Sequence, residues 1–252
     1  HAIFIDTITK DSLINMELYY KSIQFYLDEQ PKHVTDLLHH LTPKLDHERV
    51  AREVKNRDRD NLPLIKKYLE NVQENDLTQV NEVLHQLYID EEDYETLRAS
   101  IDKHRNFDQA SLAKLLESHE LLEFRRISAY LYKLNKQWEN SIALSKKDSL
   151  YRDAMETAAQ SKKQSVAEDL LQFFVEKGLK DCFAACLYNC YNLIRPDVAM
   201  ELSWRHKIQD MSMPFLIQVV REYTSKVDEL YKIQKDAQVQ AKELEEQKKK
   251  EI

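Results

Sequence analysis

The sequence predicts an all-α chain, a solenoid of short helix pairs that ends in one long C-terminal helix. Three observations carry this. A single glycine, Gly178, and five prolines in 252 residues leave few of the turns that sheets need, while Leu, Glu, Lys, Gln and Ala are abundant helix formers. Apolar residues recur at helical spacing in short segments along most of the chain. From residue 213 onward the text MPFLIQVVREYTSKVDELYKIQKDAQVQAKELEEQKKKEI holds one helical period with no breaker after its proline. A chain of this length is large for one compact helical core and natural for an array whose core grows along one axis.

The elements follow in order. Residues 3–9 are apolar and uncapped on their N-terminal side, as in an internal helix whose preceding neighbour is missing, so the chain reads as a piece of something longer. Residues 15–27 place apolar side chains at helical spacing before Pro31. Pro31 opens the next helix, through Leu37, Leu38 and Leu41, and Pro43 closes it, because proline suits a first turn and breaks a later one. A helix over 46–55 is followed by the charged turn Arg57-Asp58-Arg59-Asp60 and by Pro63, which starts 64–72. After Asn75-Asp76 come helices over 77–87, 92–104, 109–118, 121–134, 138–145, 149–160 and 165–177. Gly178 is the expected left-handed cap. The last short helices are 180–193 and 196–206, and Pro214 sits in the first turn of the long one, having no N–H to lose.

Helix pairs thus recur with a period of roughly 30 to 40 residues, in the range of helical repeats. Loosely similar phrases accompany them. Glu17-Leu18 precedes Ser22 and Gln24-Phe25-Tyr26-Leu27; Glu123-Phe124 precedes Ser128 and Ala129-Tyr130-Leu131-Tyr132; Glu168-Asp169-Leu170-Leu171 precedes Gln172-Phe173-Phe174-Val175.

In the terminal helix Leu216, Val220, Tyr223, Val227, Leu230, Gln234, Ala237, Ala241 and Leu244 alternate by four and three, the spacing of seam positions in a supercoil. A lone helix cannot hide such a stripe. Identical copies of the same helix are the simplest cover; a solvated charged tail is the alternative reading beyond Gln234.

Little catalytic chemistry is written in the chain. One glycine rules out a glycine-rich phosphate loop. The net charge of −7, with acids and bases interspersed, argues against a nucleic-acid footprint. His39 and His40, near Asp36 and close to His47 and Asp46, point about 100° apart on a helix and do not chelate together. His119 and His206 are isolated and read as surface or capping residues. Cys182, Cys186 and Cys190 fall on one stripe about 12 Å long. That is too extended to converge on one tetrahedral ion, so packing within a helix interface is favoured over a metal or redox role. No metal or cofactor is expected. Asp90-Glu91-Glu92-Asp93 suits a helix start, and Lys146-Lys147-Asp148 and Lys162-Lys163 read as solvated turns. Trp138 and Trp204 read as core, with Trp138, in the turn Asn135-Lys136-Gln137-Trp138, also placed to anchor a partner helix. Three cysteines and the absence of a leader-like stretch predict a reducing, cytoplasmic setting. The longest apolar run, 182–187, is far too short to span a bilayer.

Several uninterrupted runs carry a resemblance. They are Met16-Glu17-Leu18-Tyr19-Tyr20 through Phe25-Tyr26-Leu27, Leu45-Asp46-His47, Glu91-Glu92-Asp93-Tyr94, His119-Glu120-Leu121-Leu122-Glu123-Phe124-Arg125-Arg126-Ile127 and Lys146-Lys147-Asp148-Ser149-Leu150-Tyr151. They continue with Asp181-Cys182-Phe183-Ala184-Ala185-Cys186-Leu187-Tyr188-Asn189-Cys190-Tyr191, Arg195-Pro196-Asp197-Val198 and Glu201-Leu202-Ser203-Trp204-Arg205-His206. Over residues 11–226 the sequence resembles the clathrin heavy-chain family, and after Val227 the likeness weakens.

The resemblance implies a right-handed α–α superhelix of clathrin-type repeats forming a proximal leg (1–180), a trimerisation region (181–226) and a charged C-terminal helix of a tripod (227–252). It implies no enzyme activity. The implied role is in a three-legged protein that assembles polyhedral coats on the cytoplasmic face of coated pits and vesicles. Its implied partners are two further copies in a homotrimer, clathrin light chains along the leg and neighbouring heavy-chain legs. Membranes are met only through adaptors. Carried over by position, Cys182, Cys186, Cys190, Trp204, Phe215, Leu216, Val220, Tyr223, Val227 and Leu230 belong to the trimer interface, and Trp138 to a light-chain contact. The tail that recruits the uncoating chaperone in that family is not seen in these residues. Two other classes stay open: a tethering or adaptor subunit of another vesicle coat, and an enzyme on a helical scaffold, which would need convergent titratable groups.

Overall fold

The computed structural model describes residues 16–57 and 62–250, the side chains of 16, 57 and 241–250 excepted. The segment 3–9, positions 58–60 of the charged turn, and the side chains of Ala241 and Leu244 lie outside the described residues. Among the described residues there are fourteen α-helices and no strand, so the all-α helical-repeat class holds. The chain divides into two compact units, 1–128 and 129–252.

In the first unit α1 is Met16–Glu29, α2 Val34–Leu41, α3 His47–Arg57, α4 Leu62–Val72, α5 Thr78–Asp90, α6 Tyr94–Lys103 and α7 Gln109–Glu117. Helix α8, Leu122–Leu134, carries the boundary. Pro31 and Pro43 each sit in a short 3-10 turn flanking α2 rather than in the helix itself, and Pro63 is the second residue of α4. The expected starts have physical caps. Asp46 Oδ1 accepts the N–H groups of Glu48 and Arg49 at 3.1 and 3.3 Å; Asp93 accepts from Thr96; Asp108 accepts from Ala110 and Ser111. Each satisfies donors that the first turn otherwise leaves free. Helices pack on the next and the next but one: α2 on α4, α3 on α5, α5 on α6. Leu37, Leu38, Leu41, Ile65, Leu69, Leu84, Leu97 and Phe124 lie in the resulting core.

In the second unit α9 is Trp138–Lys147, α10 Tyr151–Ser161, α11 Gln164–Glu176, α12 Lys180–Asn189, α13 Pro196–Arg205 and α14 Gln209–Lys250. The same stepping recurs, α10 on α12 and α11 on α13, and α14 closes the unit against α12 and α13. One continuous core runs from Ile142 through Ala158, Leu170, Phe174, Phe183 and Leu187 to Phe215 and Val219.

Most boundaries fall within three residues of the expectation, and two differ by more. Helix α12 stops at Asn189, not at 193, with Cys190 as its C-cap. Helix α14 starts five residues before Pro214. The proline therefore removes one intrahelical bond, and the exposed Asp210 is the residue whose carbonyl loses that partner.

Five of the helix–helix turns share a device that composition conceals. Glu92, Lys136, Ser149, Gly178 and Lys207 all have left-handed backbone, with φ of 58°, 59°, 59°, 71° and 56°. After each of them the next N–H reaches back to a carbonyl in the preceding helix. The bonds are Asp93 to Tyr88 (2.8 Å), Gln137 to Tyr132 (2.9 Å), Leu150 to Ser145 (2.8 Å), Leu179 to Phe174 (2.9 Å) and Ile208 to Ser203 (2.9 Å). These are Schellman closures, normally served by glycine. Only Gly178 announced itself in the sequence. The other four accept the steric cost of a Cβ at positive φ because the closure satisfies terminal carbonyls and turns the chain into the next helix. The last three lie at equal intervals, 149, 178 and 207, which makes the repeat visible in the backbone where the side chains are only loosely alike.

Candidate functional site

The root of α14 is held inside the second unit. Phe215, Leu216 and Val219 are buried in the core with Cys186, Leu187 and Ile194, and Tyr191 and Tyr188 meet the Phe215 ring edge-on at 5.3 and 6.5 Å. Beneath the crossing of α13 and α14 the Ser212 hydroxyl donates to Ser203 Oγ (2.8 Å), and Ser203 donates to the Met200 carbonyl (3.0 Å). Small hydroxyl residues let the two helices approach, and the pair satisfies itself without water.

Beyond Val219 this support ends. Val220 is 62% exposed, Tyr223 58%, Val227 60% and Leu230 66%, and Gln234 and Ala237 are exposed as well. Helical geometry puts these positions on one face. Five apolar residues that the seam pattern omitted widen that face or flank it: Met213, Ile217, Tyr231, Ile233 and, further round, Val239 are all exposed. Met213, Ile217, Val220, Thr224, Val227 and Tyr231 form a second four-three series beside the first. That was the available signal. On α13 the exposed apolar residues are Met200 and Trp204, the latter 71% exposed. Trp204 is therefore not the core residue its type suggested, because it stands on the side of α13 that its own subunit leaves open. Single exposed apolar side chains are ordinary, but a contiguous band of them marks an interaction surface.

The remaining interface candidates divide by position. Phe215 is wholly enclosed and Leu216 nearly so, within their own subunit. Cys186 and Cys190 are buried too, and Cys182 is half-buried. The Cys186 thiol is pushed up in pKa, first by its hydrogen bond to Cys190 and then by burial, and the same bond draws Cys190 down. Cys190 Sγ also lies 3.8 Å from the Met155 carbonyl. A buried thiol held in its protonated form is a packing residue rather than a nucleophile. Trp138 is half-buried at the first position of α9, just after the left-handed Lys136.

The histidines are dispersed. His40 Nδ1 lies 2.7 Å from the Asp36 carbonyl, His47 Nδ1 lies 2.7 Å from the Tyr68 hydroxyl, and His119 accepts the Leu121 N–H and packs on Phe124. Among the described residues no three His, Cys, Asp or Glu side chains are placed to hold a metal ion, and no helix is long and apolar enough to cross a membrane.

A polar cluster not foreseen from the sequence sits in the first unit. Gln73 Nε2 donates to Asn81 Oδ1 (3.2 Å) and Ser100 Oγ (2.7 Å). His85 Nε2 lies 3.1 Å from the same Ser100 oxygen, and Asn81 Nδ2 donates to Asp76 Oδ1 (2.7 Å) and to the Asn106 carbonyl (3.1 Å). Burial, with a smaller contribution from His104, brings the His85 pKa down to about 4. Such a network fixes how the 73–76 turn, α5, α6 and the 104–107 segment meet. Its members are spent on one another, which makes it a structural joint rather than a reaction centre.

Comparisons with known proteins give the family. A family described as a region in clathrin and VPS proteins matches residues 38–182. The chain is 52% identical over 248 residues to clathrin heavy chain 1 of Oryza sativa subsp. japonica, covering 98% of this chain and 14% of that protein. It is 56% identical over 227 residues to the clathrin heavy chain of Drosophila melanogaster (90% and 13%) and 52% identical over 227 residues to clathrin heavy chain 2 of Homo sapiens (90% and 14%). It therefore spans about one seventh of the length of these relatives. A helical-repeat chain matched by that family over more than half its residues, and similar to heavy chains of plant, fly and human nearly end to end, belongs to the clathrin heavy-chain family.

Proposed function

We propose that this segment is the proximal leg and trimerisation hub of a coat protein, with a mechanical role and no catalytic one. The observation that carries the reading is the apolar face of α14 from Val220 to Leu230, left uncovered by its own subunit and rooted in a rigid core. Two further copies of the chain cover it when three α14 helices meet. Cys182, Trp204 and the exposed stripe lie at or near the contact, while Cys186, Cys190, Phe215 and Leu216 support it from inside. The stepped helices transmit bending stiffness, and their outer surface, with Trp138 as an anchor, carries clathrin light chains and neighbouring legs. Many weak leg contacts make assembly of polyhedral coats cooperative and reversible, since avidity multiplies them. The setting is the cytoplasmic face of coated pits and vesicles, reached through adaptors. The high identity to heavy chains over 90% or more of the segment supports this over a tethering subunit of another coat.

The test is Val227→Asp combined with Leu230→Asp, two exposed positions whose change leaves the subunit core untouched. Sedimentation equilibrium of the native chain at micromolar concentration should give the mass of three chains, and the variant that of one, with circular-dichroism helicity largely retained. A native monomer under those conditions would sink the hub reading.

A further inference from the structure

Among the described residues one buried side-chain oxygen has no hydrogen-bond partner, the Tyr191 hydroxyl. Its ring stands edge-on to Phe215 at 5.3 Å, just after the C-cap of α12, the helix on which the root of α14 packs. A hydroxyl shut off from water without an acceptor is costly, and an atom so enclosed can be reached only from its own subunit. Helix α14 offers the acceptor. Glu222 lies about two turns past Phe215 on the same helical face, and from 220 to 240 it is the one position that is not exposed. Burial first, and next the Glu222 carboxylate beside it, push the Tyr191 hydroxyl up in pKa, with smaller contributions from Tyr223 and Tyr188. One Glu222 oxygen accepts the Gln218 amide at 3.2 Å, and a carboxylate has capacity for further donors.

We propose that Tyr191 and Glu222 are positioning residues for α14: a small rotation of the Glu222 side chain brings its carboxylate onto the Tyr191 O–H, which donates to it and clamps the helix one turn beyond Val219. An enclosed, charge-assisted bond of this kind is among the stronger ones available to a side-chain pair. Glu222 lies off the apolar stripe, so the clamp fixes the direction in which Val220 to Leu230 leave the unit without occupying the surface they present. The bond follows from the second unit alone. Its consequence for assembly rests on the hub reading, in which three helices meet at one point only if each leaves its own unit at the same angle.

Hydrogen exchange tests the clamp on the Val227→Asp, Leu230→Asp chain, whose added charges keep other copies off the helix. Tyr191→Phe should speed exchange of the amides of 219–226 about tenfold, the loss of one charge-assisted bond, and leave those of 166–175 in α11 at their native rate. Glu222→Ala should act alike, and Glu222→Gln, whose amide oxygen still accepts, should keep most of the protection. Tyr191→Phe with Glu222→Ala should go no further than either change alone, as expected of two halves of one contact. Unchanged exchange over 219–226 in Tyr191→Phe, an equal acceleration in α11, or additive effects of the two substitutions overturns the proposal. In the otherwise native chain Tyr191→Phe should also weaken the trimer in sedimentation, and a trimer as tight as native overturns the positioning role. A native chain that is already a monomer sinks the hub reading and leaves the exchange result standing, so the two readings fail separately.

Discussion

The substitution His85→Gln should change how the first unit responds to acid, by an amount the structure sets. The ring is 2% exposed, packed edge-on against Phe107 at 4.6 Å and hydrogen-bonded through Ser100. Its folded pKa is about 4, against 6.5 for an unburied histidine. Above pH 6.5 both folded and unfolded chains keep the imidazole neutral, and it adds no pH dependence. Between 6.5 and about 4 only the unfolded chain takes up the proton, so stability falls as pH falls, by about 1.4 kcal/mol per pH unit. The whole loss is about 3 kcal/mol, of which about 2.5 kcal/mol is reached by pH 4.5. His104, whose pKa is also lowered by burial, is the same in both proteins and largely cancels in the comparison. The introduced amide would keep an acceptor for Ser100 without a proton to gain. Amide exchange over residues 81–101, measured by mass spectrometry on both proteins at pH 7.5 and 4.5, removes intrinsic-rate effects. The native chain should lose about 2.5 kcal/mol relative to the variant over that interval. Parallel behaviour at the two pH values would refute the reasoning, because it would mean that His85 is protonated in the folded chain or reaches water without unfolding.

Ser149→Gly should stabilise the second unit by about 0.5–1 kcal/mol, seen as a higher urea midpoint, because it removes a Cβ from a left-handed position while keeping the Ser145 closure; a lower midpoint would show that the turn is not strained. Phe215→Ala and Val227→Ala should separate the root of α14 from its free part. The first empties a fully enclosed site and should cost about 3–5 kcal/mol, and the second should leave the monomer within about 0.5 kcal/mol of native while weakening self-association. Equal destabilisation by the two in urea would mean that Val227 is covered by its own chain.

The helical class and most helix borders were legible because they depend on local properties: proline positions, apolar period, and Asp at the three capped starts. The Schellman turns were illegible at Glu92, Lys136, Ser149 and Lys207, since nothing in those residue types favours positive φ. The closure that stabilises it joins residues across a turn that exists only once the next helix has docked. The α12 border failed for a related reason: 190–194 carry helical spacing, but Cys190 and Ile194 are drawn into the core by Met155, Phe215 and their neighbours, and the chain leaves the helix to deliver them. Gln73, Asn81, His85 and Ser100 look like solvent-facing positions in the text. They become interior only because α5, α6 and the flanking turns close over them, and they survive there because each finds a partner.

For the surface that matters most, the residues alone determined that α14 carries an apolar stripe with seam spacing, since period is a property of sequence. Which part of the stripe is spoken for was decided by tertiary structure. Phe215, Leu216 and Val219 go to the subunit's own core because α12 and α13 stand beside them. Val220 to Leu230 stay uncovered because, past that point, the body of the unit is no longer there to meet the helix.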